Sequence, residues 1–103
     1  MAIIYHITSQ MQWEAARLKG YYESSSLYTE GFIHCSEEQQ VDGVLKRYFA
    51  GQTDLLKIVI ETDLLQSMLK YELASSIDEI FPHIYGTINL DAVVRVEPII
   101  AKN

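Results

Sequence analysis

Apolar positions in the first twenty residues predict a strand followed by a helix. Residues 3–7 are β-branched and aromatic, which is typical of a strand. Ser9 follows, with Gln12 three residues later, which is the spacing of a helix capping box. Gly20 is placed to end the helix. The apolar residues at helical spacing, expected on its buried face, are Met11, Ala15 and Leu18.

The same arrangement recurs after a polar, aromatic stretch at 21–30, which we expect to be a structured loop. Residues 32–35 predict a second strand. Ser36 is placed to cap a second helix, with Gln39 at the capping-box position and Gly51 at the end. The apolar face of this helix is predicted to contain Val41, Val44, Leu45, Tyr48 and Phe49.

The second half of the chain is rich in strands. Residues 55–60 form a nearly continuous apolar run, and 70–74 and 92–100 also predict strands. Asp63 is expected to cap one helical turn between the first two of these. Strands and helices do not alternate strictly, and no linker or repeat divides the chain. We therefore expect one α+β domain over 1–103, with two main helices.

Composition narrows the classes of function. The chain is 49% apolar, carries a net charge of −6 and has three Arg, so a basic nucleic-acid interface is not expected. No apolar run approaches the ~20 residues of a membrane span, and no secretory signal is visible. One Cys excludes an internal disulfide and is typical of a reducing compartment. We expect a cytoplasmic protein with a small-molecule ligand, present as a monomer or weak homodimer.

The three histidines share a local pattern, because each precedes a hydroxyl residue by two positions. Residues i and i+2 lie on the same face of a strand, so each pair would present an imidazole and a hydroxyl together. Three strands of this kind would build one polar pocket. The pairs are His6 with Thr8, His34 with Ser36, and His83 with Tyr85.

Several alternatives remain open at this point. The histidines could be separate groups, each satisfied by backbone near a strand end. A three-His zinc site is another possibility, although no pair has the spacing of a metal motif. Cys35 precedes a helix, but alternation turns it away from His34 and a free Cys is most often simply buried. The carboxylates nearest to the histidines are Glu30 and Glu72, either of which could instead be a solvated surface group.

Matches over the whole chain identify it as a member of a small bacterial family, the domain of unknown function 952. The most specific blocks are 30–36 and 81–86. The other matching residues are 4–8, Trp13, Gly20, Tyr22, Ser26, Leu27, Gln40, Asp54, Leu55, Glu72, Ala92 and Val93.

The fold implied by this resemblance is similar to that of ADP-ribosyltransferases, a split β-sheet that holds NAD in a cleft. The first half most resembles the RNA 2′-phosphotransferase branch, which has a Tyr-His-Gly-Thr block and a Val-His-Leu-Ser block. Residues 5–8 match the first block and 33–36 the second. The chain departs from this branch at Ile7, which replaces the Gly, and in having few Arg to bind phosphate.

The resemblance implies an enzyme that binds NAD, as a substrate, or an ADP-ribose-type nucleotide and acts at the ribose C1″ position. Glu72 would stabilise positive charge, while His83 and Tyr85 would close the pocket or exchange protons. The alternative is a non-catalytic module that binds a nucleotide or metabolite in a vestigial site. The expected ligand-binding residues are His6, Thr8, His34, Ser36 and Gln40; no resident cofactor or metal is expected.

Overall fold

A computed structural model describes residues 2–101 and contains eight strands and three helices. The strands are β1 (Ile3–Ser9), β2 (Tyr21–Tyr22), β3 (Ile33–His34), β4 (Leu55–Glu61), β5 (Met68–Ala74), β6 (Glu79–Tyr85), β7 (Ile88–Asn89) and β8 (Val93–Ile99). The helices are α1 (Gln10–Lys19), α2 (Ser25–Thr29) and α3 (Val41–Tyr48). Short 3₁₀ turns occupy Glu38–Gln40, Thr62–Leu64 and Leu90–Ala92.

All strand pairs within the described residues are antiparallel. One sheet has the order β1-β4-β8, a second has β3-β6-β5, and β2 pairs with β7. The two larger sheets are linked by reciprocal backbone hydrogen bonds between Tyr5 and Ser36, at 2.8 and 2.7 Å. The architecture is thus a small α+β domain built from antiparallel sheets and few helices.

The main core lies between the sheets and α1. It is dominated by β-branched side chains, which pack well on pleated surfaces. Its fully buried members include Ile4, Ile33, Ile58, Ile60, Ile84 and Ile88, together with Tyr22. A second cluster, formed by Ile7, Val41, Leu45 and Leu55, holds α3 against β1 and β4. The short strands β2 and β7, which we did not predict from sequence, supply Tyr22 and Ile88 to the main core.

The first helix begins and ends where the sequence predicts, but its buried face is different. The Ser9 side chain accepts from the Gln12 backbone N–H at 3.1 Å, and Gly20 has the left-handed φ of 94° that favours glycine. Met11 and Leu18 are 82% and 90% exposed and Ala15 is also exposed, so the predicted burial of all three is wrong. Ala16 is buried and Trp13 packs against the core instead. A ten-residue helix meets the sheets along one narrow stripe, and the small Ala allows close approach.

The cap of the second main helix lies one residue later than predicted. Glu37 and Gln40 form the capping box of a 3₁₀ turn that leads into α3. Ser36 does not cap the helix, because its backbone is paired with Tyr5 across the junction of the sheets. The helix also ends at Tyr48, before Gly51, and Tyr48 is exposed rather than buried.

The remaining differences from the sequence prediction are local. The strand predicted at 32–35 is confined to Ile33–His34, and part of the predicted loop 21–30 forms α2. A turn does form at Asp63, the 3₁₀ turn Thr62–Leu64, but its cap is Glu61 and Asp63 lies within it. The peptide bond before Pro82, whose isomer the sequence does not decide, is trans. None of the helices within residues 2–101 is long and apolar enough to cross a membrane.

Candidate functional site

A cavity of about 780 Å³ contains all three histidines in its lining. His6 comes from β1, His34 from β3 and His83 from β6, so three distant segments of the chain converge on one concave surface. The volume is in the range of small-molecule sites. The cavity is lined further by hydroxyl and aromatic residues, among them Ser24, Ser25, Ser26, Phe32 and Phe81. Its described lining includes the carboxylate Glu30 but no Lys or Arg.

On the β1 side, His6 and Thr8 are joined through a third residue, Tyr22. His6 Nε2 lies 2.7 Å from Tyr22 Oη, which in turn lies 2.9 Å from Thr8 Oγ1. His6 Nδ1 donates to the His34 backbone carbonyl at 2.6 Å. Both ring nitrogens of His6 and the hydroxyls of both partners are therefore engaged within the protein, and the network ties β1 to β2 and β3.

Burial keeps this network uncharged. Desolvation lowers the pKa of His6 from 6.5 to about 4, against the opposing effect of the hydrogen bond to His34. Burial also raises the pKa of Tyr22 from 10.0 to about 12. At neutral pH, His6 therefore has one ring proton, which lies on Nδ1 because the carbonyl can only accept. Nε2 faces the Tyr22 oxygen, whose single proton is donated to Thr8 Oγ1.

On the β6 side, a carboxylate joins His83 and Tyr85. Glu72 Oε1 accepts from His83 Nδ1 at 2.8 Å and from the Tyr85 hydroxyl at 2.6 Å. Hydrogen bonds from Tyr85 first, and then from His83, lower the pKa of the Glu72 carboxyl. The same bond to Glu72 raises the pKa of Tyr85. Glu72 is thus held ionised, and His83 presents its ring to the cavity with the Nδ1 proton fixed.

Strand register explains why these three side chains meet. His83 and Tyr85 are two positions apart on β6 and so share one face of the sheet. In the pairing of β5 with β6, Glu72 lies opposite Phe81 and Lys70 lies opposite His83. Glu72 is therefore a diagonal neighbour of His83, within reach of a long side chain. The Phe32 ring stacks on His83 with centroids 4.0 Å apart and an interplanar angle of 19°, which fixes the imidazole from the other side.

His34 lies beside His83, because the two residues are paired across β3 and β6. Their ring centroids are 5.4 Å apart in an edge-on arrangement. His34 Nε2 is 3.0 Å from Glu30 Oε2, and both side chains are about half exposed. Two carboxylate–imidazole pairs are therefore adjacent, one more sheltered and one open to solvent. Glu30, His34 and His83 line the cavity, whereas Glu72 contacts His83, and Tyr85 contacts Glu72, without being among the lining residues.

The other predicted site residues have different surroundings. Ser36 is buried and lines the cavity, but its backbone is part of the link between the sheets. Gln40 is not among the lining residues, and its amide bonds to the Glu37 N–H and the Ile80 carbonyl. Ile7 and Cys35, which alternation would turn away, also contribute to the lining. Burial raises the pKa of the Cys35 thiol well above its usual range, so it is not a ready nucleophile.

Two other kinds of site could compete with this cavity, a metal centre and a second depression. Among residues 2–101, no group of three or more His, Cys, Asp or Glu side chains is arranged to hold a metal ion. A second depression of about 520 Å³ is formed where the start of α1 meets the loop before β4. It contains none of the predicted site residues; its lining is Ser9, Gln10, Met11, Glu14, Thr53 and Asp54.

Sequence reasoning missed the parts played by Tyr22 and Phe32. The local sequence connects neither residue to a histidine. Tyr22 bridges His6 and Thr8, while Phe32 contacts the rings of His34, His83 and Tyr85. The available signal was a buried aromatic with a hydroxyl, since a buried Tyr O–H normally finds a partner. Which partner it finds depends on the pairing of β2, a two-residue strand that sequence does not indicate.

Fold and site together define a small α+β protein with a histidine-rich cavity. The chain belongs to a family described as "Protein of unknown function (DUF952)", which matches it over residues 7–96. The crystal structure of protein CC0527 from Caulobacter crescentus is similar, with 32% identity and a TM-score of 0.85. That match covers 94% of this chain and 85% of that one.

The solution NMR structure of the same Caulobacter crescentus protein gives a consistent result. It is 32% identical to this chain, with a TM-score of 0.81 over 96% of this chain and 85% of that one. No protein with a curated description matches the chain. The comparisons therefore establish the family and the α+β fold.

Proposed function

We propose that this protein is an enzyme that binds NAD or an ADP-ribose-type nucleotide in the histidine-lined cavity and acts at the ribose C1″ position. The observation that carries the proposal is the bridge at Glu72, whose Oε1 accepts from Tyr85 and from His83, the member of this trio that lines the cavity. An ionised carboxylate beside an imidazole of fixed tautomer is the arrangement used to orient a general base and to stabilise positive charge.

In this mechanism His83 is the catalytic residue, because it lines the cavity. Glu72 fixes the proton on Nδ1, so His83 Nε2 accepts the proton of the attacking hydroxyl or water. The C1″–nitrogen bond to nicotinamide breaks, its electron pair leaves with neutral nicotinamide, and the new oxygen bond forms at C1″. The negative charge of Glu72 favours the cationic ribose that develops between these steps. Tyr85 holds Glu72 ionised.

Of the other predicted site residues, some are placed to contact the nucleotide and others to stabilise the structure around it. His34 and Ser36, both in the lining, are placed to contact the nucleotide. We assign His6 and Thr8 to support rather than to direct ribose binding, since their polar atoms are engaged with Tyr22, the His34 carbonyl and Gln12. The likeness of residues 5–8 and 33–36 to the ADP-ribosyltransferase pattern supports the choice of ligand.

Nicotinamide release from NAD tests the proposal, with two matched carboxylate variants. Glu72→Gln removes the charge of the bridging carboxylate and should lower the rate about 100-fold or more. Glu97→Gln is the control, because hydrogen bonds from Lys57 and Arg95 also lower the pKa of the Glu97 carboxyl, but Glu97 lies on β8 and its partners are these two cations rather than a histidine of the cavity. Equal rates for both variants and the wild type, or no release by the wild type, would contradict the enzyme proposal.

A second candidate is a module that binds a small ligand without turnover. Ile7 favours this non-catalytic module, because its side chain contributes to the cavity wall at the position where the RNA 2′-phosphotransferase branch has a Gly. The lack of Lys and Arg in the described lining also favours it, since a pyrophosphate would have no cationic partner there. A rise in melting temperature with NAD or ADP-ribose, with no nicotinamide released, distinguishes the binder from the enzyme.

A further inference from the structure

The strand β5 forms an outer edge of its sheet and differs from β1 and β8, the outer strands of the other three-stranded sheet. β1 is bridged to Ser36, and β8 contains Pro98, a residue that disfavours further pairing. β5 contains no Pro and pairs only with β6 among the described strands. Two of its large apolar side chains are exposed to solvent, Tyr71 by 48% and Leu73 by 58%. An unprotected edge of this kind is a template for another strand.

The backbone groups that face outward on β5 follow from its pairing with β6. The Pro82 carbonyl accepts from the Cys35 N–H at 3.0 Å and so points towards β3. Tyr71 lies opposite Pro82 and therefore forms a non-hydrogen-bonded pair with it. The N–H and C=O of Tyr71 must then point away from β6. By alternation the same holds for Leu69 and Leu73, whereas Lys70 and Glu72 bond inward.

The side chains of β5 are self-complementary in one antiparallel register. If two copies pair about a two-fold axis at Tyr71, Lys70 of one copy lies opposite the partner's Glu72, and Glu72 opposite the partner's Lys70. Leu69 then lies opposite the partner's Leu73. Axes at Lys70 or at Glu72 would instead place like charges directly opposite each other, which is destabilising.

Apolar burial favours the same register. In the strand, Tyr71 and Leu73 share a face with Leu69, and Leu73 is paired with Ile80, which is also exposed. Pairing about Tyr71 brings these side chains from both copies together on one face, while the charged pairs occupy the other. On each face of the extended sheet, the side chains of one copy would thus match those of the second copy, as a closed two-fold interface requires.

We propose that two copies of this chain form a homodimer by antiparallel pairing of β5 with β5, in register about Tyr71. The outward backbone groups of Leu69, Tyr71 and Leu73 supply the hydrogen bonds, and the Lys70–Glu72 pairs fix the register. Each Glu72, the carboxylate of the candidate site, gains a cation from the partner. The proposal is independent of the reaction assigned to that site.

Charge reversal tests the register by sedimentation velocity over a concentration series. Lys70→Glu and Glu72→Lys each place two like-charge pairs in the interface and should weaken dimerisation about tenfold or more. An equimolar mixture of the two variants should restore a heterodimer, because it recreates both attractive pairs. Lys46→Glu, on the exposed surface of α3, is the matched charge control and should dimerise like the wild type.

Hydrogen exchange provides a measurement without substitution. The amides of Leu69, Tyr71 and Leu73 should become protected as protein concentration rises, whereas those of Lys70 and Glu72 should be protected throughout. A wild-type chain that stays monomeric up to about 1 mM would overturn the proposal. So would a dimer that survives both charge reversals, or a mixture that associates no more tightly than the separate variants.

Discussion

His6 and His83 occupy equivalent positions in the sequence pattern but have opposite surroundings. Each is separated by one residue from a hydroxyl, and in each pair a third side chain bridges the imidazole and the hydroxyl. For His6 and Thr8 the bridge is the phenol of Tyr22, which is buried and uncharged. For His83 and Tyr85 it is the carboxylate of Glu72, which is partly exposed and held ionised.

Because the bridging groups differ, we expect the two histidines to have different roles. A phenol can accept or donate without gaining charge, so the His6 network satisfies buried polar atoms and fixes three strands together. A carboxylate orients the imidazole and stabilises positive charge beside the cavity. The same three-residue pattern therefore produces a structural group on β1 and a candidate reactive group on β6.

The largest expected effect is on turnover. His83→Gln removes the proton acceptor and should lower nicotinamide release about 100-fold or more, with a small change in melting temperature. His6→Gln should have the reverse profile, with a clear loss of stability and a much smaller loss of rate in the folded fraction. Initial rates measured beside thermal unfolding curves compare the two variants. Similar rate losses for both would remove the proposed division between them.

Acid pH should destabilise the fold through His6. Its native pKa of about 4 is below the value of 6.5 in the unfolded chain. Between these values the unfolded chain binds a proton that the native state does not, so stability falls as the pH decreases through this window. The loss approaches about 3 kcal/mol near pH 4 and is absent above pH 6.5.

Urea unfolding from pH 7 to 4 measures this dependence. The His6→Gln variant removes the titrating group, so the slope between pH 6.5 and 4 should become shallower. The titration of Glu72 acts in the same direction, since its lowered pKa gives stability that is lost in acid, and it is present in both proteins. An unchanged slope in the variant would show that His6 titrates normally in the native state.

The smallest expected effects come from removing one hydroxyl at each bridge. Tyr22→Phe leaves His6 Nε2 and the Thr8 hydroxyl without their shared partner and should cost about 1–2 kcal/mol in the free energy of unfolding.

Tyr85→Phe should change the melting temperature little, but it removes the hydrogen bond that contributes most to the lowered pKa of Glu72. That pKa, followed by carboxyl NMR, should rise. No rise would mean that Tyr85 does not hold Glu72 ionised.

Local sequence patterns predicted the elements better than their packing. The helix after Ser9 begins and ends as expected, yet Met11 and Leu18 are exposed because Ala16 and Trp13 face the sheets. Helical spacing shows that apolar residues share a face, but it does not show which face the rest of the protein covers. Ser36 illustrates the same limit, since its pairing with Tyr5 depends on a contact 31 positions away in sequence.

For the candidate site too, the local sequence pattern was a better guide than the packing between distant segments. Period-two spacing placed each histidine with its hydroxyl, and the three histidines do line one cavity. Glu72 was among the predicted site residues, but the bridges themselves were not predictable, because Tyr22 and Glu72 reach their partners through the pairing of β2 with β7 and of β5 with β6. Burial of His6 and partial exposure of Glu72 are likewise consequences of the assembled sheets rather than of local sequence.

The contrast between the two histidines is tested most directly by nitrogen-15 NMR of the imidazole rings, with and without NAD. The expected result is that His6 stays neutral with its proton on Nδ1 down to about pH 5, and that its signals do not respond to NAD. The signals of His83, with those of His34, should shift on NAD addition. A His6 ring that titrates near pH 6.5 and responds to NAD, beside a His83 ring that does not respond, would contradict the division proposed between them.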